Sequence, residues 1–196
     1  MKFRIALCLL SVLMCAEVAM GQSVPAEKTG VLLVHYGTRN DASRKATIDA
    51  LDSMAMARFA DCEVVEAYAA GSVIKSLGKR GIKKLTIGEG LDKLIADGCQ
   101  NAVVQTTMLL DGVMNDIVKN EVNARKSKFK KIVVARPLLY SVDDCRNMLD
   151  QIAAHIKAKS DEQVVIVGHG SDSPANAIYS QLDCLAKFEG RPNWHV

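Results

Sequence analysis

His169 sits between two glycines in Val164-Val165-Ile166-Val167-Gly168-His169-Gly170-Ser171-Asp172-Ser173-Pro174, an apolar run that ends in a tight turn and leads into a helix start. The pattern delivers one imidazole to the carboxyl end of a strand, the edge at which open α/β sheets bind ligands. A neutral imidazole is both a borderline-soft metal ligand and a proton acceptor. The chemistry to expect is therefore metal or proton transfer. His35, in Val34-His35-Tyr36-Gly37-Thr38, repeats the arrangement of apolar strand, histidine, glycine and hydroxyl residue. If both strands lie in one parallel sheet, both imidazoles emerge at one edge around one crevice. Gly168 and Gly170 let backbone approach a flat or anionic ligand. Ser171 and Ser173 read as turn and cap residues.

Other chemistries fit less well. No G-x-G-x-x-G follows a strand and no P-loop lysine follows the His169 turn, so nucleotide binding is not indicated. The nucleophile elbow G-x-S-x-G is absent, and a histidine occupies the corresponding turn. His155 falls inside an amphipathic helix and reads as structural or surface-exposed, while His195 lies near the end of the sequence. Asp111 opens the helix after the third strand and either caps it or faces the crevice. Met108 and Met114 flank that region; packing is their default role, although a thioether is soft enough to ligate metal.

The elements that must position these residues alternate along the chain. Strands are predicted at 30–36, 62–68, 102–108, 131–135 and from 164; helices at 40–58, 72–79, 88–97, 111–125, 143–157 and 174–188. Alternation at this spacing implies parallel pairing, so the fold class is α/β, a three-layer sandwich with a parallel sheet. Lys2 and Arg4 precede an apolar run at 5–14, and small residues surround position 20. This is the layout of a secretory signal over residues 1–21, too short to span a bilayer comfortably. An exported, periplasmic protein with no stable membrane insertion is the expectation. Residues 22–190 then form one α/β domain, and 191–196 read as the start of a second, truncated one.

With 49% hydrophobic and 24% charged residues the chain has an ordinary globular composition, and its net charge of +3 gives no basic field that would suit nucleic acid. Cys62, Cys99, Cys145 and Cys184 follow the signal with no metal-binding or redox spacing, so they are free thiols or one incidental bridge.

Five segments, taken in order, resemble one family. They are His35-Tyr36-Gly37-Thr38; Ala69-Ala70-Gly71-Ser72-Val73-Ile74-Lys75-Ser76-Leu77; Val104-Gln105 with Asp111-Gly112; Arg136-Pro137-Leu138-Leu139; and Val167-Gly168-His169-Gly170-Ser171-Asp172 with Pro174-Ala175-Asn176-Ala177 and Tyr179. Over residues 30–196 they are similar to the sirohydrochlorin cobaltochelatases of the anaerobic cobalamin pathway, the CbiK-type class II chelatases. The resemblance implies a flavodoxin-like half of a chelatase fold. It also implies insertion of a divalent metal, Co2+ first, into sirohydrochlorin or a related tetrapyrrole without a nucleotide. On this resemblance His169 is the catalytic residue and metal ligand, and His35, Gly37, Thr38, Gly168, Gly170 and Ser171 contact the tetrapyrrole. Val113-Met114 stand where several relatives carry an acidic pair, and Met108 where they carry a histidine. Two alternatives stay open: an exported tetrapyrrole or metal carrier without turnover, and a homo-oligomer that builds the site from two copies.

Overall fold

The computed structural model describes residues 27–159 and 161–196; the signal read at residues 1–21 lies outside them. The central strand β1 (Thr29–His35) is apolar without alternation because both of its faces are covered. It pairs in parallel with β2 (Glu63–Tyr68) on one side and β3 (Asn101–Thr106) on the other; β4 (Lys131–Val134) completes the order β2-β1-β3-β4.

Helices lie on both faces. After β1 come α1 (Asp41–Ala46) and α2 (Ile48–Arg58), and α3 (Gly71–Gly78) follows β2. Ile48, Tyr68, Ala70, Val73 and Leu77 form the core of that layer. The opposite layer contains α4 (Ile87–Ala96) and α5 (Val113–Arg125), whose Leu91, Leu94, Val118 and Val122 cover Leu32, Val34, Val65, Ala67 and Val104 of the sheet. Leu32, Leu91 and Leu94 are fully buried, so truncating any one to Ala costs about 2–5 kcal/mol. The three-layer expectation holds.

Two predicted helices differ in detail. The one expected over 40–58 is broken at Thr47, whose hydroxyl donates to the Ser43 carbonyl at 2.7 Å and whose backbone leaves the helical region. The one expected from Asp111 starts at Val113 with Gly112 as its cap; Asp111 instead pairs with Lys119 at 2.8 Å.

The largest correction concerns the fifth strand. It does not join the four-stranded sheet: β5 is only Val164–Val165 and pairs in parallel with β6 (Trp194–His195) in a separate two-stranded sheet. The reason lies in packing. Val164 is buried with Leu139, Cys145, Leu149, Leu182, Ala186 and Trp194, a cluster built by α6 (Val142–His155) and α7 (Ala177–Phe188). Past Ile166 the chain leaves that core, and Val167 is 87% exposed.

No described helix is long and apolar enough to cross a membrane. The four described cysteines are free, and burial pushes the Cys99 and Cys145 thiols above their usual pKa, which leaves them inert.

Candidate active site

A cleft of about 580 Å3 opens between the carboxyl end of the four-stranded sheet and the α6–α7 unit. Tyr36 enters it from the end of β1, Met108, Leu109 and Leu110 from the loop after β3, and Val113 and Met114 from the start of α5. The opposite wall consists of Met148 and Ile152 of α6, Tyr179 and Leu182 of α7, and the loop Ile166 to Ser171 that carries His169. Among the described lining residues the ionisable side chains are His169, Tyr36 and Tyr179. Among the described lining residues no carboxylate side chain competes with His169 for a cation, and the walls suit a flat apolar ligand.

The His169 loop is held from both sides. A Cβ on Gly168 would sit 2.0 Å from the Tyr179 ring, and Gly170 adopts φ +78, so neither position tolerates a side chain without strain. The Gly170 amide donates to Tyr179 Oη at 3.3 Å, and the Ser171 amide to Asn176 Oδ1 at 3.0 Å. Ser171 Oγ in turn accepts from the Ser173 amide at 3.2 Å, which makes it a turn residue that also lines the cleft. Pro174 then opens a short 3-10 turn, with its fixed φ suited to the start of a helix, and α7 follows. Across the gap a Cβ on Gly112 would lie 3.5 Å from Ser171 Oγ, so the start of α5 and the His169 loop nearly meet.

Of the residues assigned to the site from sequence, Gly168, His169, Gly170 and Ser171 come together on this cleft, whereas His35, Gly37 and Thr38 do not. His35 is 1% exposed: its Nε2 lies 2.9 Å from Asp52 Oδ1 and its Nδ1 3.0 Å from Thr107 Oγ1. Alternation at the end of a strand explains this, since His35 faces the α2–α3 layer and the next side chain, Tyr36, faces the cleft at 54% exposure. Gly37, at φ +98, accommodates the Tyr68 ring, which a Cβ would approach to 2.4 Å. Thr38 Oγ1 accepts from the Asn40 amide at 3.2 Å ahead of α1. Tyr36, Met148 and Tyr179 were not identified as site residues from sequence. For Tyr36 the available signal was its parity along β1.

The sequence model of the family described as cobalt chelatase (CbiK) matches residues 29–196. The chain is 28% identical over 167 residues to a sirohydrochlorin cobaltochelatase of Salmonella typhimurium, covering 84% of this chain and 63% of that protein. It is also 28% identical over 170 residues to the sirohydrochlorin cobaltochelatase CbiKC of Nitratidesulfovibrio vulgaris, covering 85% and 60%. The chain thus spans about three fifths of the length of these curated relatives. A solved structure of SirB from Bacillus subtilis with Fe3+ superposes with a TM-score of 0.60 at 16% identity, over 82% of this chain and 61% of that one, a likeness of fold. With a match that runs from the first residue of β1 to Val196, the chain belongs to the cobalt chelatase (CbiK) family.

Proposed function

We propose that the chain inserts a divalent metal, cobalt first, into sirohydrochlorin or a related tetrapyrrole without nucleotide hydrolysis, as a step of cobalamin biosynthesis. The observation that carries this reading is a single imidazole, His169, standing at the mouth of an otherwise apolar cleft. The relatives named above act in this way on sirohydrochlorin and cobalt by their names. The reaction consumes M2+ and a metal-free macrocycle and yields the metallated macrocycle and two protons. The apolar walls take the face of the macrocycle and exclude water from its centre. His169 can ligate the incoming ion and accept a pyrrole proton, one group serving both needs. The hydrogen bond from Gly170 to Tyr179 and the one from Ser171 to Asn176 hold the loop, so the imidazole is presented in place. On the signal at residues 1–21, the reaction takes place in the periplasm.

A second reading, a tetrapyrrole or metal carrier without turnover, draws support from the lining, where His169 is the only imidazole and no carboxylate joins it among the described residues. A structural metal site takes three or four protein ligands, and the cleft offers one strong one. The deciding experiment follows the visible spectrum of sirohydrochlorin mixed with Co2+ and the full chain. Accelerated formation of the cobalt complex supports insertion. Tight binding of the macrocycle with no acceleration establishes the carrier.

A further inference from the structure

A second group of donors lies away from the cleft, on the sheet face covered by α2. Glu66 and Tyr68, two apart on β2, share that face with their β1 register partners Leu33 and His35. Asp52 of α2 reaches the same place. One ligand atom from each of His35, Asp52 and Glu66 lies within 4.8 Å of the other two. Beside them Tyr68 is 1% exposed, its hydroxyl has no hydrogen-bond partner, and its ring stands edge-on to the imidazole at 6.3 Å. Burial and the charges of Glu66, Asp49 and Asp52 push the phenol pKa up, so the hydroxyl lies in the field of these carboxylates.

Both ring nitrogens of His35 have oxygen neighbours. The Thr107 hydroxyl, 3.0 Å from Nδ1, can donate to the ring or accept from it while turned toward the Val34 carbonyl. Nε2 lies 2.9 Å from Asp52 Oδ1: in the metal-free ring it donates to that carboxylate, and with the proton on Nδ1 its lone pair is open to a metal ion. Of the neighbouring cations, Lys84 sits in the group itself, its Nζ donating to both Glu66 oxygens at 2.8 and 2.6 Å, and Arg44 pairs with Asp41 and Asp49. Asp52 and Glu66 thus set two carboxylates against one lysine beside the ring, a balance that favours a further positive charge.

We propose that His35 Nε2 and the Asp52 and Glu66 carboxylates form a second divalent-metal site, beside the buried Tyr68 whose hydroxyl has no other partner. One imidazole and two carboxylates suit Mn2+, Fe2+, Co2+ or Zn2+ rather than a soft monovalent ion. Donors bound to one such ion at about 2.1 Å stand roughly 3.0–3.4 Å apart, close to the His35–Asp52 spacing already present. Glu66 completes the set by exchanging Lys84 for the metal. Thr107, on Nδ1, plays the orienting part that metal-bound histidines require. The ion would pin α2 to the sheet beside Tyr36, and it stands apart from the cleft imidazole.

The test titrates the metal-free full chain with Co2+ alone, without macrocycle, and reads the visible cobalt absorption and the thermal midpoint. The proposal expects one equivalent of Co2+ that raises the midpoint and persists in His169→Ala. Glu66→Gln and Asp52→Asn should each weaken it at least about tenfold. Glu66 is partly exposed, so Glu66→Gln keeps the metal-free fold and remains informative if Asp52→Asn does not. Binding that vanishes in His169→Ala, or that both carboxylate variants leave unchanged, overturns the proposal, and a proton then joins His35 to Asp52. Neither result bears on insertion at the cleft, because no macrocycle is present.

Discussion

His35 and His169 follow apolar runs of similar sequence and precede the same kinds of turn residue, yet one imidazole is sealed against Asp52 and Thr107 while the other stands in a cleft. The difference comes from what covers each strand. β1 is paired on both sides and covered on both faces, so its last inward residue is buried. Among the described residues β5 has only β6 beside it, and the chain leaves its core after Ile166, so the turn that follows projects into open space. The same local pattern thus yields a core residue or a cleft residue according to the tertiary layer above it.

The comparison can be broken most sharply by deleting each imidazole. His169→Ala should lower cobalt insertion by about 100-fold or more while leaving the thermal midpoint unchanged, because an exposed loop residue contributes little to stability. His35→Ala should do the reverse, destabilising the protein by about 2–4 kcal/mol in urea titrations because the Asp52 carboxylate loses its partner. The glycines extend the contrast. Gly168→Ala forces the loop away from Tyr179 and should cost about 100-fold in insertion rate, since catalysis is sensitive to displacements of about 1 Å. Gly37→Ala, strained at φ +98 against Tyr68, should instead lower stability by about 1–3 kcal/mol.

Smaller effects sharpen the picture. Ser141 and Asp144 form a capping box at the start of α6, which carries Met148 and Ile152 to the cleft. Ser141→Ala should cost about 1 kcal/mol in a denaturant midpoint, with little change in macrocycle binding. Tyr68 gives the smallest effect. Burial raises its phenol pKa, so its contribution is intact below the unfolded value of about 10 and is lost as pH rises toward the folded one. Metal-free Tyr68→Phe should therefore lose less stability than the parent chain between about pH 9 and 11.

Much of this was legible in the residues. The continuous apolar run of β1, the glycine-flanked histidine and the alternation of strands and helices each have a direct physical meaning, and each is found in the structure. What was not legible depended on distant contacts. His35 finds Asp52 seventeen residues away, and one residue of strand parity decides whether His35 or Tyr36 meets the cleft. Val164 could equally have extended the main sheet; the buried cluster around Leu149, Leu182 and Trp194 decides otherwise. Met108 and Met114 read as core residues, which is what apolar side chains are by default, until the loops they occupy are seen facing the cleft.

The most direct measurement is the position of cobalt in a structure of the full chain with a cobalt-loaded macrocycle. The account predicts a macrocycle lying in the cleft against Tyr36 and Met108, with an imidazole nitrogen of His169 about 2.1 Å from the metal. A macrocycle bound elsewhere, or one in the cleft whose cobalt makes no bond to His169, contradicts it.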